Sequence, residues 1–344
     1  MRNIRGNRKW VVTVCVTLAI GRALPPSHAQ RLDAVPTGPD AEWCDDGGQA
    51  SCHECAVSEH FVVAHQIPED ALNEHLKTME AAYDDVVRFL NAHGINVPRV
   101  EERMRATFMP YREKRHEARW VCGSTRASAA SRMPPTAGYQ RDKRYSWFAL
   151  RRPPDDTGES GTLAATVDRL TIRHEIAHQV LDRLVPTLND RIPSWLAEGL
   201  ACAFEPDADG RMSGSLAWNK WRAADAIERL NAGDADAFLR ALLTDAGTAF
   251  DNPAADEADT YAVAWALVYC AQRKRPAAFA GLLQQLAAEH GVGNIGDRWV
   301  DRFADVFGKP DGDAVSELVS CLTDASDARA QPSTDRAPVL PPAP

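Results

Sequence analysis

The stretch TIRHEIAHQV, residues 171–180, decides how the whole chain is interpreted, because it places two histidines four residues apart with a glutamate beside the first. At about 100° per residue, His174 falls inside a helical stripe of apolar residues and His178 falls on its flank. Both imidazoles therefore project from the buried side of one helix, and Glu175 lies at the edge of the stripe. The stripe consists of Leu163, Val167, Leu170, Ala177, Leu181 and Leu184.

This H-E-x-x-H arrangement is typical of a catalytic zinc site. Two imidazole nitrogens one helical turn apart reach a single zinc ion, and the adjacent carboxylate is close enough to take a proton from water. The alternative is a chance pattern in which two ordinary histidines find hydrogen-bond partners in the core. A third ligand distinguishes the two interpretations, because a catalytic zinc takes three protein ligands and keeps one position open.

Glu198 is the candidate third ligand. It lies within IPSWLAEGLACAFE, residues 192–205, twenty residues after His178 and among apolar residues of a second predicted helix. A carboxylate on an apolar face needs a partner, because burying it alone is costly, and a metal ion would be that partner. The alternative is a glutamate at the rim of the face that reaches water. Because the same chain also carries H-E-x-x-H, we favour the interpretation that Glu198 is a ligand.

The chain before this motif combines strands with a helix. Short β-branched or aromatic runs predict three strands, at residues 60–67, 103–110 and 145–150. Apolar residues at steps of three and four predict an amphipathic helix that begins at Glu69 and is closed by the His-Gly pair at 93–94. The stretch between the last two strands is basic and rich in loop residues. Residues 151–161 have the composition of a linker.

Beyond the linker the chain is rich in Ala and Leu at helical spacing, with polar breaks. We therefore predict an α+β protein in which a small α/β part (58–160) precedes a mainly helical part (161–325). After the two helices already named, further helices are predicted in SLAWNKWRAADAIERL, DADAFLRALL, TYAVAWALVYCAQ, AAFAGLLQQLAAEH and DAVSELVSCL.

The two ends indicate export and disorder. Residues 1–29 have a basic start, an apolar run from Trp10 to Ile20 and small residues placed for cleavage near Ala29, which predicts a signal peptide and a periplasmic or secreted protein. The alternative is an uncleaved membrane anchor. Residues 326–344 form a Pro/Ala-rich tail that cannot bury enough apolar surface to become ordered.

Cysteine usage fits an exported protein. Cys44, Cys52 and Cys55 lie in the Cys-containing segment 30–57, where we expect at least one disulfide in preference to a zinc site, because no second Cys pair at matching spacing follows. Seven cysteines follow the signal peptide, so at least one thiol stays free or pairs between chains, and we choose Cys202 as the free thiol. The net charge of −9 argues against nucleic acid as a partner.

The pair HEIAH and PSWLAEGLA resembles the gluzincins, zinc metallopeptidases that combine H-E-x-x-H with a downstream glutamate. More closely, the chain is similar to the peptidase-MA-like proteins exported by bacteria, in which a W-L-x-E-G-x-A segment follows the zinc helix. Their later helix resembles YAVAWALVYC (261–270), and DAGTAF (245–250) also fits. The resemblance extends over residues 60–290 and is strongest from 171 to 204. It implies a zincin-like fold, with a small sheet-and-helix N-terminal part and an active-site helix.

By this resemblance, His174, His178 and Glu198 bind Zn²⁺ and Glu175 is the general base. Gluzincins also place a Tyr or His donor across the cleft, on a helix well downstream of the ligand glutamate. The available donors here are His290, Tyr269 and Tyr261. Tyr261 is our choice, because it begins a helix directly after the polar loop 251–260, although a tyrosine there can also serve only in packing.

One position departs from the gluzincin pattern. Many members carry an acid four residues after the ligand glutamate, which orients a zinc-binding histidine, and that position is Cys202 here. Another carboxylate must then orient the histidine, and Asp182 and Glu205 are the candidates.

We expect an exported zinc metallopeptidase whose partner is a peptide or protein substrate, paired by strand addition to a strand such as YSWFAL. We expect no membrane association after signal cleavage. The first alternative is an exported binding or scaffold protein with a degenerate or structural zinc site. The second is a hydrolase with the same zinc chemistry acting on a bond other than a peptide. The sequence leaves substrate preference and oligomeric state open.

Overall fold

The structure is a computed structural model. It describes residues 54–98, 100–110, 137–141, 143–150, 159–186, 192–206, 216–244, 250, 257–288, 296–309 and 312–330. The predicted signal peptide, nearly all of the Cys-containing segment and the tail beyond residue 330 lie outside the described residues. One contiguous hydrophobic core extends from the sheet through the first two helices into the C-terminal helices.

The N-terminal part contains a mixed five-stranded sheet. Its strands are β1 (Glu54–Val57), β2 (Phe61–His65), β3 (Met104–Pro110), β4 (Ala137–Gln140) and β5 (Tyr145–Leu150). Their spatial order is β1-β2-β3-β5-β4. β2, β3 and β5 are parallel neighbours, and the two outer strands each pair antiparallel with their neighbour.

Three of these strands confirm the sequence predictions, and two were missed. β1 lies in the Cys-containing segment, and the hairpin in which Val57 pairs with Val62 crosses the predicted boundary between residues 57 and 58. β4 lies in the stretch that we expected to be loop. The strand YSWFAL is β5, which β3 and β4 flank on both sides. Both edges of this strand are paired within the sheet, so the prediction that a substrate adds to YSWFAL is wrong.

The first helix, α1 (Glu69–Ala92), forms as predicted. Pro68 precedes it, two acidic residues occupy its first turn and favour the helix dipole, and its apolar face is buried. The chain leaves α1 through Gly94, whose φ of 73° lies in the left-handed region that glycine adopts without strain. This return places β3 beside β2 as its parallel neighbour.

The rest of the described chain is helical, as predicted. The helices are α2 (Glu159–Leu184), α3 (Ser194–Phe204), α4 (Lys220–Leu230), α5 (Ala235–Thr244), α6 (Glu257–Lys274), α7 (Pro276–Ala288), α8 (Gly296–Phe307) and α9 (Gly312–Ala330). α8 was missed. α2 begins inside the predicted linker, and α9 extends five residues into the predicted tail, because helix-forming Ala and Arg residues continue it. Among the described helices, none has the length and apolar character needed to cross a membrane.

Three hydrogen bonds made by two buried residues of α2 hold this helix against the sheet. Gln179 accepts a hydrogen bond from Ser146 of β5 at 3.1 Å and donates one to the backbone oxygen of Arg105 in β3 at 2.9 Å. One turn further along α2, Asp182 accepts a hydrogen bond from the hydroxyl of Tyr139 in β4. Because buried polar groups are costly unless paired, these contacts specify one orientation of α2 on the sheet.

Gly199 brings α3 and α6 into backbone contact. A Cβ atom at this position would lie 2.3 Å from the carbonyl oxygen of Ala264 and 2.7 Å from Cγ2 of Val268. Neither distance is tolerable, and a backbone oxygen cannot move aside as a flexible side chain can. The approach therefore depends on glycine directly after the candidate ligand Glu198.

A disulfide between Cys270 and Cys321 joins α6 to α9 across 51 residues of chain. In the chain-entropy treatment, closing a loop of that length stabilises the fold by about 4 kcal/mol. Cys55 is also disulfide-bonded, which supports the expected disulfide involving the N-terminal cluster. Cys202 is a free, buried thiol, as predicted.

Gly199→Ala is predicted to destabilise the protein. Overpacking of this kind lowers the free energy of unfolding by about 1–3 kcal/mol or more, and chemical denaturation measures it. The matched control is Gly281→Ala in α7, where an added Cβ meets nothing within 4 Å. That variant gains helix propensity and is expected to be more stable by up to about 1 kcal/mol. Equal stabilities of the two variants would contradict the close approach of α3 and α6.

Candidate metal centre

The part of α2 that carries the H-E-x-x-H motif is buried on every side. All residues from Leu170 to Asp182 are buried, so the helix has no solvent-facing stripe over three turns. α1 and the sheet cover part of its surface, and α3 packs against the face that carries His174 and His178. The sequence predicted that both imidazoles face the interior, and the structure confirms this.

α3 places Glu198 opposite the two imidazoles. Its Oε2 atom lies 3.1 Å from Nε2 of His174 and 3.3 Å from Nε2 of His178, and the two Nε2 atoms are 3.2 Å apart. The three predicted ligand residues therefore come together with one ligand atom each at the corners of a nearly equilateral triangle. They form one of two groups of potential metal ligands among the described residues.

The spacing of these atoms fits a zinc ion. Tetrahedral coordination with bonds of about 2.0–2.1 Å places neighbouring ligand atoms about 3.3 Å apart. The three distances agree with that value without rearrangement. In addition, Oε1 of Glu198 and both carboxylate oxygens of Glu175 are buried without a hydrogen-bond partner within the described chain. A cation in the triangle would compensate for the cost of burying these oxygens.

Charge in the centre also favours a cation. Burial by itself raises the pKa of Glu198, but the imidazoles of His178 and His174 outweigh it and lower the pKa to about 2. Burial lowers the pKa of His174, but its contacts with Cys202, Glu198 and Glu205 raise it well above its ordinary value. The centre thus draws a proton onto His174, and a metal ion bound at Nε2 competes with protonation of that nitrogen.

Glu175 lies beside the triangle and does not contribute to it. Its side chain is 0% exposed. Burial raises its pKa above the ordinary value, although the imidazoles of His174 and His178 oppose the rise. The backbone N–H of Tyr139 in β4 lies near enough to lower the pKa of Glu175 slightly. The contact does not have the geometry of a hydrogen bond to either carboxylate oxygen. A carboxylate with a raised pKa, not committed to a partner, is suited to accept a proton.

Tyr261 of α6 lies next to the triangle. Its ring packs against that of His174 with centroids 6.0 Å apart, and the guanidinium of Arg222 lies 5.5 Å from the ring centre. Burial and the nearby Glu198 carboxylate raise the pKa of Tyr261 well above its ordinary value, so the hydroxyl keeps its proton. Tyr269 instead stacks on Trp265, and His290 lies outside the described residues.

Glu205, just after α3, contacts the far side of His174. Its Oε1 atom is 3.1 Å from Nδ1 of the imidazole. Arg222 of α4 donates to both of its oxygens, at 2.7 and 3.2 Å, and Asn219 donates at 2.7 Å. Of the two carboxylates that the sequence offered for orienting a histidine, only Glu205 touches one, because Asp182 binds Tyr139 and Arg141. The sequence did not single out Arg222 or Asn219.

The second group of potential ligands consists of His174, Cys202 and Glu205. Arg222 already neutralises Glu205, and a second cation there would lie next to the guanidinium. Burial raises the pKa of the Cys202 thiol to about 11, so the thiolate that zinc requires is unfavourable. The triangle of His174, His178 and Glu198 is therefore the better metal site.

Arg173 is a further buried residue that the sequence did not mark. It precedes His174 and donates to the carboxylate of Asp85 in α1. It also donates to the backbone oxygens of Phe204 at 2.8 Å and Pro206 at 3.2 Å, at the C-terminal end of α3. One guanidinium thus joins three helices and satisfies carbonyls that a helix end leaves unpaired.

Comparison with known families gives one match. Residues 168–293 match the family described as "Protein of unknown function (DUF1570)". The matched segment covers less than half of the chain but contains the ligand triangle, Glu175, Glu205 and Tyr261, whereas the sheet lies outside it. No curated protein matches the chain. The family's description carries no activity, so the function has to be inferred from the site.

We predict that the purified protein binds about one zinc ion per chain, because three ligands and an open position make one site. His174→Ala, His178→Ala and Glu198→Ala are each expected to lose the metal, which elemental analysis after gel filtration measures. His75→Ala is the control, because His75 stacks on Phe108 away from the triangle, and it is expected to keep the metal. Full zinc retention in the three ligand variants would refute the site.

Proposed function

We propose that the protein is an exported zinc-dependent metallopeptidase of the gluzincin type, which hydrolyses peptide bonds. The convergence of two imidazole nitrogens and one carboxylate oxygen at 3.1–3.3 Å, with Glu175 adjacent, carries the proposal. In this proposal His174, His178 and Glu198 are the metal ligands, and Glu175 is the general base. These ligands would hold a zinc ion, which would lower the pKa of water towards about 7 and polarise the scissile carbonyl.

Glu175 moves the proton. It lies next to His174 in the chain, and its oxygens are not tied to other donors within the described residues. It accepts a proton as water attacks the carbonyl carbon, and it passes that proton to the amine nitrogen as the C–N bond breaks. Because the pKa of Glu175 is raised, it lies nearer to neutral pH, where a group can both accept and donate a proton.

Tyr261 stabilises the carbonyl oxygen as negative charge develops on it. The hydroxyl remains protonated because the pKa of Tyr261 is well above its ordinary value, so the side chain acts as a donor. Contact with the rings of His174 and Phe250 restricts its orientation. A donor held in place before the reaction loses little free energy to reorganisation.

Strand β4 is the surface best suited to an extended substrate. It is the outermost strand of the described sheet on the side of α2. Tyr139, in its middle, donates its hydroxyl proton to Asp182 of α2, and its backbone N–H lies near Glu175. A peptide added antiparallel or parallel to this strand would pass beside the general base.

Access to the centre requires movement. Glu175 and Glu198 are 0% exposed, and His178, at 7%, is the most exposed of the three proposed ligands. A substrate carbonyl reaches the general base only when the packing around it opens, as the lids and loops of many enzymes do.

Export is part of the same proposal. The disulfide between Cys270 and Cys321 and the disulfide-bonded state of Cys55 support a periplasmic or secreted location, because such compartments permit disulfides to persist. The basic and apolar start of the sequence supports it independently.

The complete burial of Glu175 favours a second candidate: an exported binding or scaffold protein in which the zinc is structural. A broad peptide-cleavage assay on the zinc-loaded protein separates the candidates. Under the peptidase proposal, cleavage is lost with a chelator and returns with zinc. A stably zinc-loaded protein that cleaves nothing supports the scaffold. Cleavage of ester or amide substrates but no peptides would indicate the related hydrolase chemistry.

Glu175→Gln is predicted to lower peptidase activity sharply while keeping the metal. Glutamine has the same size but accepts no proton, so activity on a cleaved peptide falls by about 10²–10⁴. Zinc content stays at the wild-type value. Thermal stability stays the same or rises, because a neutral amide is less costly to bury than a carboxylate. Activity within a few-fold of wild type would exclude Glu175 as the base.

Tyr261→Phe removes only a hydroxyl group. We expect kcat to fall by about 10²–10³, the usual loss for one donor to the developing oxyanion, with zinc content and melting temperature nearly unchanged. Tyr269→Phe is the matched control, two turns along α6 and stacked on Trp265, and its kcat is expected to stay at the wild-type value. An unchanged kcat with lowered stability in Tyr261→Phe would make Tyr261 a packing residue.

A further inference from the structure

The face of His174 that points away from the ligand triangle is held by a second carboxylate. Nδ1 of the ring lies 3.1 Å from Oε1 of Glu205. An ionised carboxylate only accepts hydrogen bonds, so the proton of this contact is on Nδ1. A neutral ring with its proton on Nδ1 has its lone pair on Nε2, and that is the atom in the triangle.

The carboxylate of Glu205 is itself held by several donors. Arg222 donates from two nitrogens to its two oxygens, and Asn219 donates at 2.7 Å. Asn219 also caps α4, accepting a hydrogen bond from the backbone N–H of Arg222 at 3.3 Å. The start of α4 therefore presents an amide and a guanidinium to the same carboxylate. A fork of this kind fixes the plane of a carboxylate as well as its charge.

Cys202 occupies the position on α3 from which a carboxylate would reach the same nitrogen. Its sulfur lies 3.8 Å from Nδ1 of His174. A thiol is a weak hydrogen-bonding group and carries no charge here, so it orients the ring poorly. Glu205 lies three residues further along, at the end of the helix, and reaches the nitrogen from there.

We propose that Glu205, held by Arg222 and Asn219, is the positioning residue that sets the tautomer and orientation of His174 for zinc. It takes the role of the acid that is missing at position 202, where this chain has a cysteine. This inference rests on the metal site of the proposed function and does not depend on which bond the enzyme cleaves. It makes zinc affinity a property of the start of α4 as well as of α2 and α3.

The test measures the zinc dissociation constant by competition with a chromophoric chelator. Removing a carboxylate that orients a metal-binding histidine weakens binding about 10–100-fold. We expect the larger loss for Glu205→Ala and the smaller for Glu205→Gln, which keeps the volume and an acceptor oxygen beside Arg222. The glutamine variant also guards against failure of the alanine variant to fold. Asp182→Asn is the control, because Asp182 is a carboxylate of α2 that binds Tyr139 and Arg141 instead of His174 or His178, and the zinc affinity of this variant is expected to stay unchanged.

A rescue separates positioning from a structural role. Adding Cys202→Asp to Glu205→Ala places a carboxylate where sulfur is already 3.8 Å from Nδ1, and we expect it to restore most of the lost zinc affinity. Histidine ¹⁵N NMR supplies a second readout: the signal of a protonated Nδ1 on His174 is present in wild type, lost in Glu205→Ala and restored in the double variant. Lost stability without these changes would indicate a purely structural residue.

The outcomes distinguish this inference from the proposed function. Wild-type zinc affinity in Glu205→Ala or Glu205→Gln overturns the positioning role and leaves the peptidase proposal intact. Weakened affinity with rescue supports the positioning role even if wild type cleaves no peptide, a result that would overturn only the peptidase proposal. A wild-type protein that binds no zinc overturns both.

Discussion

The carboxylate of Glu198 is buried completely between two imidazoles, and the cost of keeping it there constrains everything around it. Removing a carboxylate from water is expensive unless positive charge and hydrogen-bond donors replace the solvent. His174 and His178 supply the nitrogens, and their spacing of one helical turn fixes how α3 crosses α2. The triangle of three ligand atoms then leaves one central position that a divalent cation fits.

The two helices that carry the centre are held in place by their neighbours, because the described elements that pack on α2 or α3 reach them through buried polar contacts or a close backbone approach. The sheet holds α2 through Gln179, and α1 holds it through the link between Asp85 and Arg173. α6 reaches α3 where Gly199 lacks a side chain. Such networks specify one arrangement when every member is satisfied. The small sheet contributes no ligand; it orients the helix that does.

Local spacing made much of this predictable. His174 and His178 are four residues apart, which places them on one face of a helix. Glu198 is predictable as a ligand because it is a single carboxylate among apolar residues. β4 was not predicted because its four residues follow a basic stretch and are stabilised by pairing with β5. The sequence offered Glu205 and Asp182 as alternatives for orienting the histidine and could not choose between them, because the contacts of Glu205 with His174 of α2 and Arg222 of α4 depend on packing, which no periodicity encodes. Tyr261 was placed beside the metal site by family resemblance.

The zinc K-edge X-ray absorption spectrum of the zinc-loaded protein tests the central claim most directly. We predict only nitrogen and oxygen ligands at about 2.0–2.1 Å, with the outer-ring scattering of two imidazoles. That pattern belongs to the triangle of His174, His178 and Glu198. A sulfur ligand at about 2.3 Å would instead place the metal with Cys202 and contradict the account, as would a spectrum with fewer than two imidazoles.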